Sequence, residues 1–313
     1  GKGKLQSLLR KAPLTNPSTY RFALFLTRSS TFLLNVRRSM TRKRDMLSTN
    51  TIERFGGIAR LYGERALKNF TESHVCVIGI GGVGSWSVEA LARSGVGKIT
   101  MVDLDDVCIT NVNRQLHALD GQVGRQKTDA MADRIKAINP ECEVTCVQKF
   151  YSERNADEIL SEDFDFVIDA IDLSRAKAHL VSSCVKSGIP IIVCGGVGGL
   201  TDPSQIKIED LARIHNDGLL KSVRDDLRNH YNFPRGRDKG KSKKFGVESI
   251  FSTESPVFPK CDGSVSDQKP TAQSMQLNCS SGYGSITHMT ATLAFFATER
   301  CLKNLAQPKH ELV

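Results

Sequence analysis

The residues whose types and spacing predict chemistry begin with a glycine-rich loop, GIGGVGS, at 79–85. The loop follows an apolar run, HVCVIG, and precedes a stretch with helical periodicity, so we expect it to join a buried strand to a helix. Glycines there let the backbone approach a phosphate group, and the helix N-terminus offers unpaired N–H groups to an anion. The loop therefore predicts a nucleotide site, and the candidate residues are Gly79, Gly81, Gly82 and Gly84.

A carboxylate ends the next predicted strand. The run KITMVD places Asp103 nineteen residues after Gly84, a spacing that suits a side chain holding the ribose hydroxyls of a nucleotide. The loop and this acid together are compatible with ATP and equally with a nicotinamide dinucleotide. A tight turn that needs glycine only for packing is the structural alternative.

The stretch after Asp103 favours ATP. It reads DLDDVCITNVNRQ and is followed by GxxK, which adds Asp105, Asn111, Arg114 and Lys127. Breaking the α–β bond of ATP needs cations over the phosphates, and Arg114 and Lys127 supply two. A dinucleotide needs only its pyrophosphate cradled, so a nicotinamide-dependent oxidoreductase would leave these cations unexplained.

A second acid follows the predicted buried strand DFVID. Asp172 is expected at the carboxyl end of the sheet, where ligands of such folds bind, and Mg²⁺ requires a carboxylate near the phosphates. The sequence therefore predicts ATP and Mg²⁺ as cofactors, Arg114, Lys127 and Asp172 as catalytic residues, and Asp172 as the metal ligand. Surface positions for the two cations and helix capping by Asp172 are the alternatives.

The elements that must position these residues alternate between strand and helix. Strands are predicted at 74–79, 98–103, 143–148, 165–169 and 190–194, and helices at 52–72, 85–94, 127–138 and 175–186. Such alternation predicts an α/β fold with a Rossmann-like, mostly parallel sheet and helices on both faces. Residues 200–285, which are richer in Pro, Ser and charge, are expected to form a C-terminal elaboration that ends in a helix from about 286.

The net charge of +9 belongs to the first residues, because 1–44 contain eleven Lys or Arg and no acid. We predict a basic arm at 1–48 that is disordered or artefactual, an ATP-binding part at 49–199, and the elaboration at 200–313 within the same domain. An acid-free, Ser/Thr-rich arm is also typical of an organellar transit peptide. The expected location is cytoplasmic, or mitochondrial if the arm is such a peptide, and a functional arm is the third interpretation.

The nine cysteines include no CxxC pair, which indicates buried, reduced thiols rather than a zinc site. The sequence also contains no apolar run of about 20 residues, the length that a membrane-spanning helix requires. Neither a structural metal nor a membrane span is therefore predicted.

Together, GIGGVGS, DLDDVCITNVNRQ, GxxK and DAID resemble, in order and spacing, the adenylyltransferases that activate ubiquitin and the sulfur-carrier proteins of molybdopterin and thiamine synthesis. The similarity runs through residues 54–199. It implies a homodimer in which an N-terminal arginine, Arg54 or Arg60, reaches the ATP of the partner. It also implies these roles: Gly81 and Gly84 near phosphate, Asp103 on ribose, Asn111, Arg114 and Lys127 on the triphosphate, and Asp172 on Mg²⁺.

Two further segments resemble one branch of these enzymes, the tRNA threonylcarbamoyladenosine dehydratases. They are RFGGIARLYG before the loop and GVESIFSTE with the downstream LNCSSGYGS, and the similarity extends over 52–305. The implied function is ATP-dependent cyclisation of threonylcarbamoyladenosine beside the tRNA anticodon to its hydantoin, through an acyl-adenylate on the threonine carboxylate. Ser249 stands where a cysteine is frequent in that branch, so the resemblance implies chemistry without an enzyme thiol at this position.

A basic, glycine-rich stretch at 235–244 fits a tRNA partner. Its six cations are predicted to contact RNA phosphates: Arg235, Arg237, Lys239, Lys241, Lys243 and Lys244. A solvated surface loop is the alternative. Tyr231, Phe233 and Phe245 flank the stretch and are candidates for base stacking or for ordinary core packing.

Three other functions stay open on the sequence. The first is an adenylyltransferase that activates the C-terminal Gly-Gly of a small sulfur-carrier protein, which the missing CxxC pairs and the basic stretch disfavour. The others are a nicotinamide-dependent oxidoreductase and a nucleotide-binding scaffold without catalysis. The resemblance also leaves open a cysteine-desulfurase or sulfur-acceptor partner.

Overall fold

The strands and helices come from a computed structural model that describes residues 47–238, 240–260, 262–268 and 283–307. In chain order the strands are β1 (His74–Ile78), β2 (Lys98–Val102), β3 (Glu143–Val147), β4 (Phe166–Asp169), β5 (Ile191–Cys194), β6 (Ile206–Asp210), β7 (Arg237–Asp238), β8 (Lys241–Ser242), β9 (Glu248–Ser252), β10 (Phe258–Pro259) and β11 (Val265–Ser266). The α-helices are α1 (Thr49–Tyr62), α2 (Glu64–Thr71), α3 (Gly82–Arg93), α4 (Lys127–Ile138), α5 (Ala156–Ile159), α6 (Ser174–Ser187), α7 (Gly218–His230) and α8 (Thr287–Leu305).

Seven of the described strands form one sheet, in the order β3-β2-β1-β4-β5-β9-β6. The first six are parallel, and β6 joins the edge antiparallel to β9. The strand order reverses between β1 and β4, so their carboxyl ends form the crevice where ligands of such sheets bind. The predicted Rossmann-like, mostly parallel sheet is confirmed, and two strands from the 200–285 region complete it.

Alternating side chains of the strands bury two apolar layers. On β1, Val75 and Val77 face a layer shared with α2, α3, α4 and α8. Cys76 and Ile78 face the opposite layer, which contains residues of α5 and α6. On that second face α6 and α7 also cover β5 and β9. Helices therefore lie on both faces of the sheet, as the sequence predicts.

Two helices and several boundaries differ from the sequence-based expectation. α5 and α7 were not predicted, although Asp217 caps α7 by accepting the Leu220 N–H at 2.8 Å. The helical lead-in at 52–72 is broken at Gly63, whose φ of +91° lies in the region that favours glycine. The glycine-rich loop also enters its helix earlier than expected, because α3 already begins at Gly82.

Residues 54–313 group as one compact unit. Of the other unit, residues 1–53, the structure describes 47–53, which contain the start of α1. The basic arm predicted at 1–48 thus lies outside the described residues except for its last two positions.

The thiols in the described part of the chain are free. Cys108 is exposed, Cys146 is half-buried, and the other five are buried: Cys76, Cys142, Cys184, Cys194 and Cys301. Cys261 and Cys279 lie outside the described residues. Among the helices that are described, none combines the length and the apolar character needed to cross a bilayer.

Candidate functional site

The glycine-rich loop between β1 and α3 contains two glycines that packing requires. A Cβ on Gly84 would lie 1.8 Å from the carbonyl oxygen of Gly79, a distance that no side chain tolerates. A Cβ on Gly79 would lie 2.7 Å from the carbonyl oxygen of Ala170, and the φ of Gly79 is +88°. Gly79 therefore lets the loop lie against the segment that follows β4, and Gly84 lets the start of α3 pack against the Gly79 carbonyl.

The other two glycines of the loop differ from each other. A Cβ on Gly82 would lie 2.9 Å from Thr290 Cγ2, so this glycine allows α8 to approach the loop. A Cβ on Gly81 would have Gln115 Nε2, at 3.8 Å, as its nearest neighbour, which is an ordinary contact. Packing within the described chain does not require glycine at 81, and the space beside it is open to a ligand phosphate.

Asp103, at the end of β2, holds the loop in shape. Its Oδ2 accepts the Ile80 N–H at 2.6 Å and its Oδ1 accepts the Asp105 N–H at 2.8 Å. Each carboxylate oxygen keeps a further lone pair, so it can still accept a hydrogen bond from a ribose hydroxyl. Asp103 thus has a structural role that the sequence did not reveal, in addition to the predicted ribose contact.

Lys127 begins α4 and is paired with Asp105. Its Nζ lies 2.7 Å from Asp105 Oδ2, and its backbone N–H donates to the Asp105 carbonyl at 3.0 Å. The Lys127 side chain is 7% exposed, whereas that of Asp105 is 51% exposed. A cation is therefore fixed close to Asp103, and so close to the loop, where an anionic ligand can compete for it.

Asn111 and Arg114 lie on the turn that follows β2. Asn111 Oδ1 accepts the Cys108 N–H at 3.1 Å, an orientation that leaves its NH₂ group to donate. Arg114 Nη1 donates to Asn113 Oδ1 at 3.0 Å. A Cβ on Gly82 would lie 3.6 Å from Arg114 Cγ, so the arginine stem passes beside the loop. The structure thus brings both predicted phosphate donors to the same edge of the sheet.

The C-terminal helix holds the Arg114 segment from the other side. The Arg114 carbonyl accepts hydrogen bonds from Thr290 Oγ1 at 3.2 Å and from Trp86 Nε1 at 3.1 Å. The Asn113 side chain donates to the Ser285 carbonyl at 2.7 Å. Because Thr290 and Arg114 are 176 positions apart, the sequence around Arg114 could not predict this contact.

Asp172 lies beyond β4, at the carboxyl edge of the sheet. Its side chain is exposed and makes no hydrogen bond or ion pair with any described residue. The same segment borders the loop, because Ala170 is in contact with Gly79. An accessible, unpaired carboxylate is the ligand type that Mg²⁺ takes from proteins, so the residue fits the predicted metal.

A buried ion pair connects β4 to α6 and was not predicted. Lys177 Nζ lies 2.9 Å from Asp169 Oδ1 and donates to the Asp169 carbonyl at 3.2 Å, and both side chains are 0% exposed. Burial raises the pKa of Asp169 in spite of the lysine. The pair fixes both ends of the short segment that carries Asp172. One feature of the sequence could have revealed this pair: Lys177 lies on the same apolar helix face as Val181 and Cys184.

Two buried polar side chains lie behind the loop. His117 Nε2 lies 2.9 Å from the Ile80 carbonyl, and burial lowers the pKa of His117, so a neutral ring donates from Nε2. His117 Nδ1 and Gln115 Oε1 are both buried and have no partner in the described part of the chain. Polar atoms of this kind are acceptors for a bound water or a ligand group.

The two N-terminal candidates lie on α1. Arg54 Nη1 donates to the Ile138 carbonyl at 3.2 Å. α4 begins near the loop with Lys127 and ends at Ile138 on the far side of the sheet. Arg54 therefore lies near the amino ends of the parallel strands, whereas the loop of its own chain lies at their carboxyl ends. Arg60 is exposed, and its guanidinium passes over the glycines at 56 and 57 of its own helix. A role for either arginine in a partner's site stays a prediction.

The basic stretch contains a small hairpin formed by β7 and β8, and we call residues 235–244 the basic hairpin. Arg235 donates from Nη2 to the Arg228 carbonyl at 2.8 Å, which ties the hairpin to the last turn of α7. Lys241, Lys243 and Lys244 are exposed. The side chain of Arg237 and all of Lys239 lie outside the described residues.

The flanking aromatics pack against the core on this face of the sheet. The rings of Phe233 and Phe245 meet edge to face with centroids 5.0 Å apart, and Arg228 lies over Phe245 at 5.4 Å. All three flanking aromatic residues, Tyr231, Phe233 and Phe245, are partly buried against the apolar layer under α7. The core interpretation therefore holds for Phe233 and Phe245, whereas Tyr231 also borders a cavity.

Ser249 is inaccessible. It is 0% exposed in β9, and its Oγ donates to the Glu209 carbonyl of β6 at 3.0 Å. A side chain enclosed in the sheet in this way does not reach a substrate.

Comparisons with known proteins show which proteins the chain resembles. The model of the ThiF family matches residues 57–312. The chain is 48% identical over 254 residues to the tRNA threonylcarbamoyladenosine dehydratase of Escherichia coli, which covers 81% of this chain and 93% of that protein. The Haemophilus influenzae protein of the same name is 45% identical over 260 residues, covering 83% and 96%. A crystal structure of the E. coli enzyme in complex with ATP matches with a TM-score of 0.73 at 44% identity, and covers 83% of this chain and 96% of that one.

Proposed function

The chain belongs to the ThiF family, and we propose that it is an ATP-dependent enzyme that dehydrates threonylcarbamoyladenosine in tRNA to its hydantoin form. The observation that carries the proposal is the similarity to named dehydratases over most of the length of both chains. The glycine-rich loop, with its open position at Gly81 and the Lys127–Asp105 pair nearby, supplies a site for the ATP that such chemistry consumes.

The proposed roles of the site residues follow from their chemistry. The phosphates of ATP lie beside Gly81 and the N-terminus of α3, where Lys127, Arg114 and the Asn111 amide neutralise their charge. Asp103 accepts hydrogen bonds from the ribose. Asp172 holds Mg²⁺, which when bound screens the phosphate oxygens.

The reaction has two steps. The threonine carboxylate attacks the α-phosphorus of ATP, the bond to the β-phosphate oxygen breaks, and pyrophosphate leaves. A nitrogen of the adjacent urea then attacks the acyl carbon, loses its proton and expels AMP. One water is lost from the nucleoside, and its oxygen leaves on AMP. Because the nucleophile belongs to the substrate, the enzyme needs no thiol, and holding the two groups in position supplies much of the rate.

Contacts with tRNA are assigned to the basic hairpin. Lys241, Lys243 and Lys244 are exposed, and cations on an exposed surface attract the RNA backbone without reading its sequence. Binding that depends on phosphate contacts weakens steeply as salt rises.

A homodimer is also part of the proposal, with Arg54 or Arg60 entering the site of the partner. Between β2 and α4 one stretch exposes five large apolar side chains: Leu104, Ile109, Val112, Leu119 and Val123. Exposed apolar side chains grouped in this way mark a protein interaction surface.

The test is to incubate the purified protein with ATP, Mg²⁺ and tRNA carrying threonylcarbamoyladenosine, and to weigh the nucleosides after mild digestion. We expect an ATP-dependent loss of one water that Arg114→Ala abolishes. Arg125→Ala is the matched control, because Arg125 pairs on the surface with Asp133 at 2.8 Å. No change in mass, with ATP–pyrophosphate exchange that depends on a Gly-Gly-tailed carrier protein, would replace the dehydratase by a carrier-activating enzyme.

A further inference from the structure

A cavity of about 470 Å³ lies outside the nucleotide site. It opens between the loop that follows β3, the first turn of α6 and the last turn of α7. The residues that line it are Glu153, Arg175, Asp226, His230 and Tyr231. Cavities of this size hold small ligands or parts of larger ones, and no step of the proposed reaction uses it.

The polar groups around the cavity are not engaged with one another. Within the described chain, the side chains of Glu153, Arg175, Asp226 and His230 make no hydrogen bond and no ion pair within 4 Å. The Tyr231 hydroxyl likewise has no hydrogen-bond partner there. The wall of the cavity therefore offers acceptors, donors and a planar guanidinium that a ligand can bind.

Tyr231 gives the cavity an aromatic wall that is held in place. Its ring meets the His179 ring edge to face with centroids 6.1 Å apart, and Lys186 Nζ lies 5.9 Å from its centroid. His179 in turn is bonded to the Tyr151 hydroxyl at 3.0 Å. Burial, followed by the negative charge of Glu153, raises the pKa of Tyr231, so the phenol stays protonated as a donor.

Arginines lie on the two sides of the cavity that face the proposed binding sites for tRNA and for ATP. The last turn of α7, which lines the cavity, also receives Arg235 of the basic hairpin through the Arg228 carbonyl. On the other side, Arg175 lies three residues beyond Asp172, on the first turn of α6. The cavity therefore neighbours both the basic hairpin and the segment that carries Asp172.

We propose that this cavity binds an unstacked base of the tRNA anticodon loop that neighbours the modified adenosine. The inference rests on the proposed function. Single-stranded RNA is recognised by stacking bases on aromatic rings or guanidinium planes and by hydrogen bonds to their edges, and Tyr231 and Arg175 supply both kinds of surface. A free phosphate does not suit the cavity, because Glu153 and Asp226 repel it.

The two carboxylates also predict which bases fit. Carboxylate oxygens only accept hydrogen bonds, so Glu153 and Asp226 favour a base whose edge carries an exocyclic amino group. Adenine, cytosine and guanine carry one, whereas uracil carries none, and its single imino N–H is flanked by two carbonyl oxygens that the carboxylates repel. We expect the cavity to prefer an amino-bearing base over uracil at the position that it binds.

The test measures binding of a labelled anticodon stem-loop carrying threonylcarbamoyladenosine, by fluorescence anisotropy at fixed salt. Tyr231→Leu, which keeps apolar volume but removes the ring, is expected to weaken binding about ten- to hundredfold. Tyr231→Phe keeps the ring and loses only the hydroxyl, so it is expected to weaken binding much less than Tyr231→Leu. Lys221→Met removes an exposed charge elsewhere on α7 and serves as the control for general electrostatics.

A second arm of the test changes the RNA. Each nucleotide that flanks the modified adenosine is replaced in turn by an abasic residue. At the nucleotide whose base fills the cavity, the abasic RNA is expected to lose its sensitivity to Tyr231→Leu, and a uracil there to weaken binding to the unchanged protein. A structural effect of Tyr231→Leu would instead weaken the binding of every RNA equally, and that result overturns the inference.

The two proposals fail in different ways. If the unchanged protein removes no water from the modified nucleoside, the proposed function is wrong. If it does so, but Tyr231→Leu and Tyr231→Phe bind the stem-loop equally well, only the base-binding cavity is wrong. Thermal unfolding and ATP affinity of each variant, both expected to stay unchanged, show that the nucleotide site is intact.

Discussion

Within the glycine-rich loop, Gly81 and Gly84 share a residue type for different physical reasons. The Cβ of an alanine at 84 would lie 1.8 Å from a carbonyl oxygen, whereas at 81 its nearest neighbour would be 3.8 Å away. Backbone packing explains the first glycine, and a ligand that approaches the backbone explains the second.

We therefore expect Gly81→Ala to fold normally and to bind ATP poorly. Its unfolding midpoint should stay within about 2 °C of the unchanged protein, while ATP affinity should fall about tenfold or more, because the new methyl group occupies the space of a phosphate. Gly84→Ala should lower the midpoint by several degrees, since the backbone must shift. Differential scanning fluorimetry with and without ATP measures both, and equal effects of the two variants would contradict this division of roles.

The buried histidines predict how stability depends on pH. Burial lowers the pKa of both His117 and His74 below the ordinary 6.5, so below that pH the unfolded chain binds more protons than the folded one. Stability is then fully present above the unfolded pKa and is lost as the pH falls through 6.5 toward the folded values.

The corresponding experiment is a series of unfolding midpoints between about pH 8 and about pH 5.5. We expect a plateau at the upper end and a decline on acidification. His117→Gln keeps an N–H for the Ile80 carbonyl but removes the titrating ring, so its decline should be shallower. An unchanged slope would show that His117 is not buried as a neutral ring.

At the scale of elements, the central strands and the helices between them could be predicted from their apolar runs. The five strands β1 to β5 are short, and three of them, β1, β4 and β5, are almost entirely apolar, which is how strands covered on both faces look in a sequence. α7 was missed because its buried residues, Leu220, Val223 and Leu227, are separated by charges within a polar region. The pairing of β6 with β9 could not be predicted, since it depends on a long-range antiparallel contact.

The residues of the candidate site likewise fall into two groups: those that the sequence predicts and those that only the fold brings together. The loop, Asp103, Asn111, Arg114 and Lys127 were predicted from local spacing, because they all lie in the segments that follow two consecutive strands, β1 and β2. The Lys177–Asp169 pair and the bonds from α8 to the Arg114 segment arise only when distant elements pack together. Sequence reasoning therefore finds the residues that are proposed to meet the nucleotide, but not the distant residues that hold them in place.

Thr290→Val tests the contribution of α8 to the nucleotide site. The substitution removes the hydroxyl that donates to the Arg114 carbonyl at 3.2 Å but keeps a branched side chain against Gly82. One lost hydrogen bond of about 1 kcal/mol predicts an increase of about fivefold in the KM for ATP, with little change in unfolding midpoint.

The matched control for this test is Thr298→Val on the same helix. Thr298 Oγ1 donates to the Ala294 carbonyl within α8 at 2.9 Å and has no bond to the Arg114 segment. We expect it to leave the KM for ATP unchanged. If both variants raised the KM equally, α8 would act through its general stability and not through its bond to Arg114.

At the scale of the whole molecule, the position of Arg54 bears on the proposed homodimer. Its guanidinium is bonded to the end of α4, at the opposite edge of the sheet from the glycine-rich loop. An arginine at that edge is far from the nucleotide of its own chain, but in a symmetric dimer it can face the nucleotide of the partner. The proposal therefore requires two protomers for every complete site.

Mixed dimers measure this requirement directly. One protomer carries Arg54→Ala with Arg60→Ala, and the other carries Arg114→Ala, so either variant alone is expected to be inactive. When the two variants are co-expressed and pair at random, half of the dimers contain one protomer of each variant. In such a mixed dimer, one of the two sites has its own Arg114 and the unchanged N-terminal arginines of the partner. Activity should then return to about a quarter of that of the unchanged protein. Without any recovery, although size-exclusion chromatography with light scattering shows dimers, the N-terminal arginines would act within their own chain or not at all.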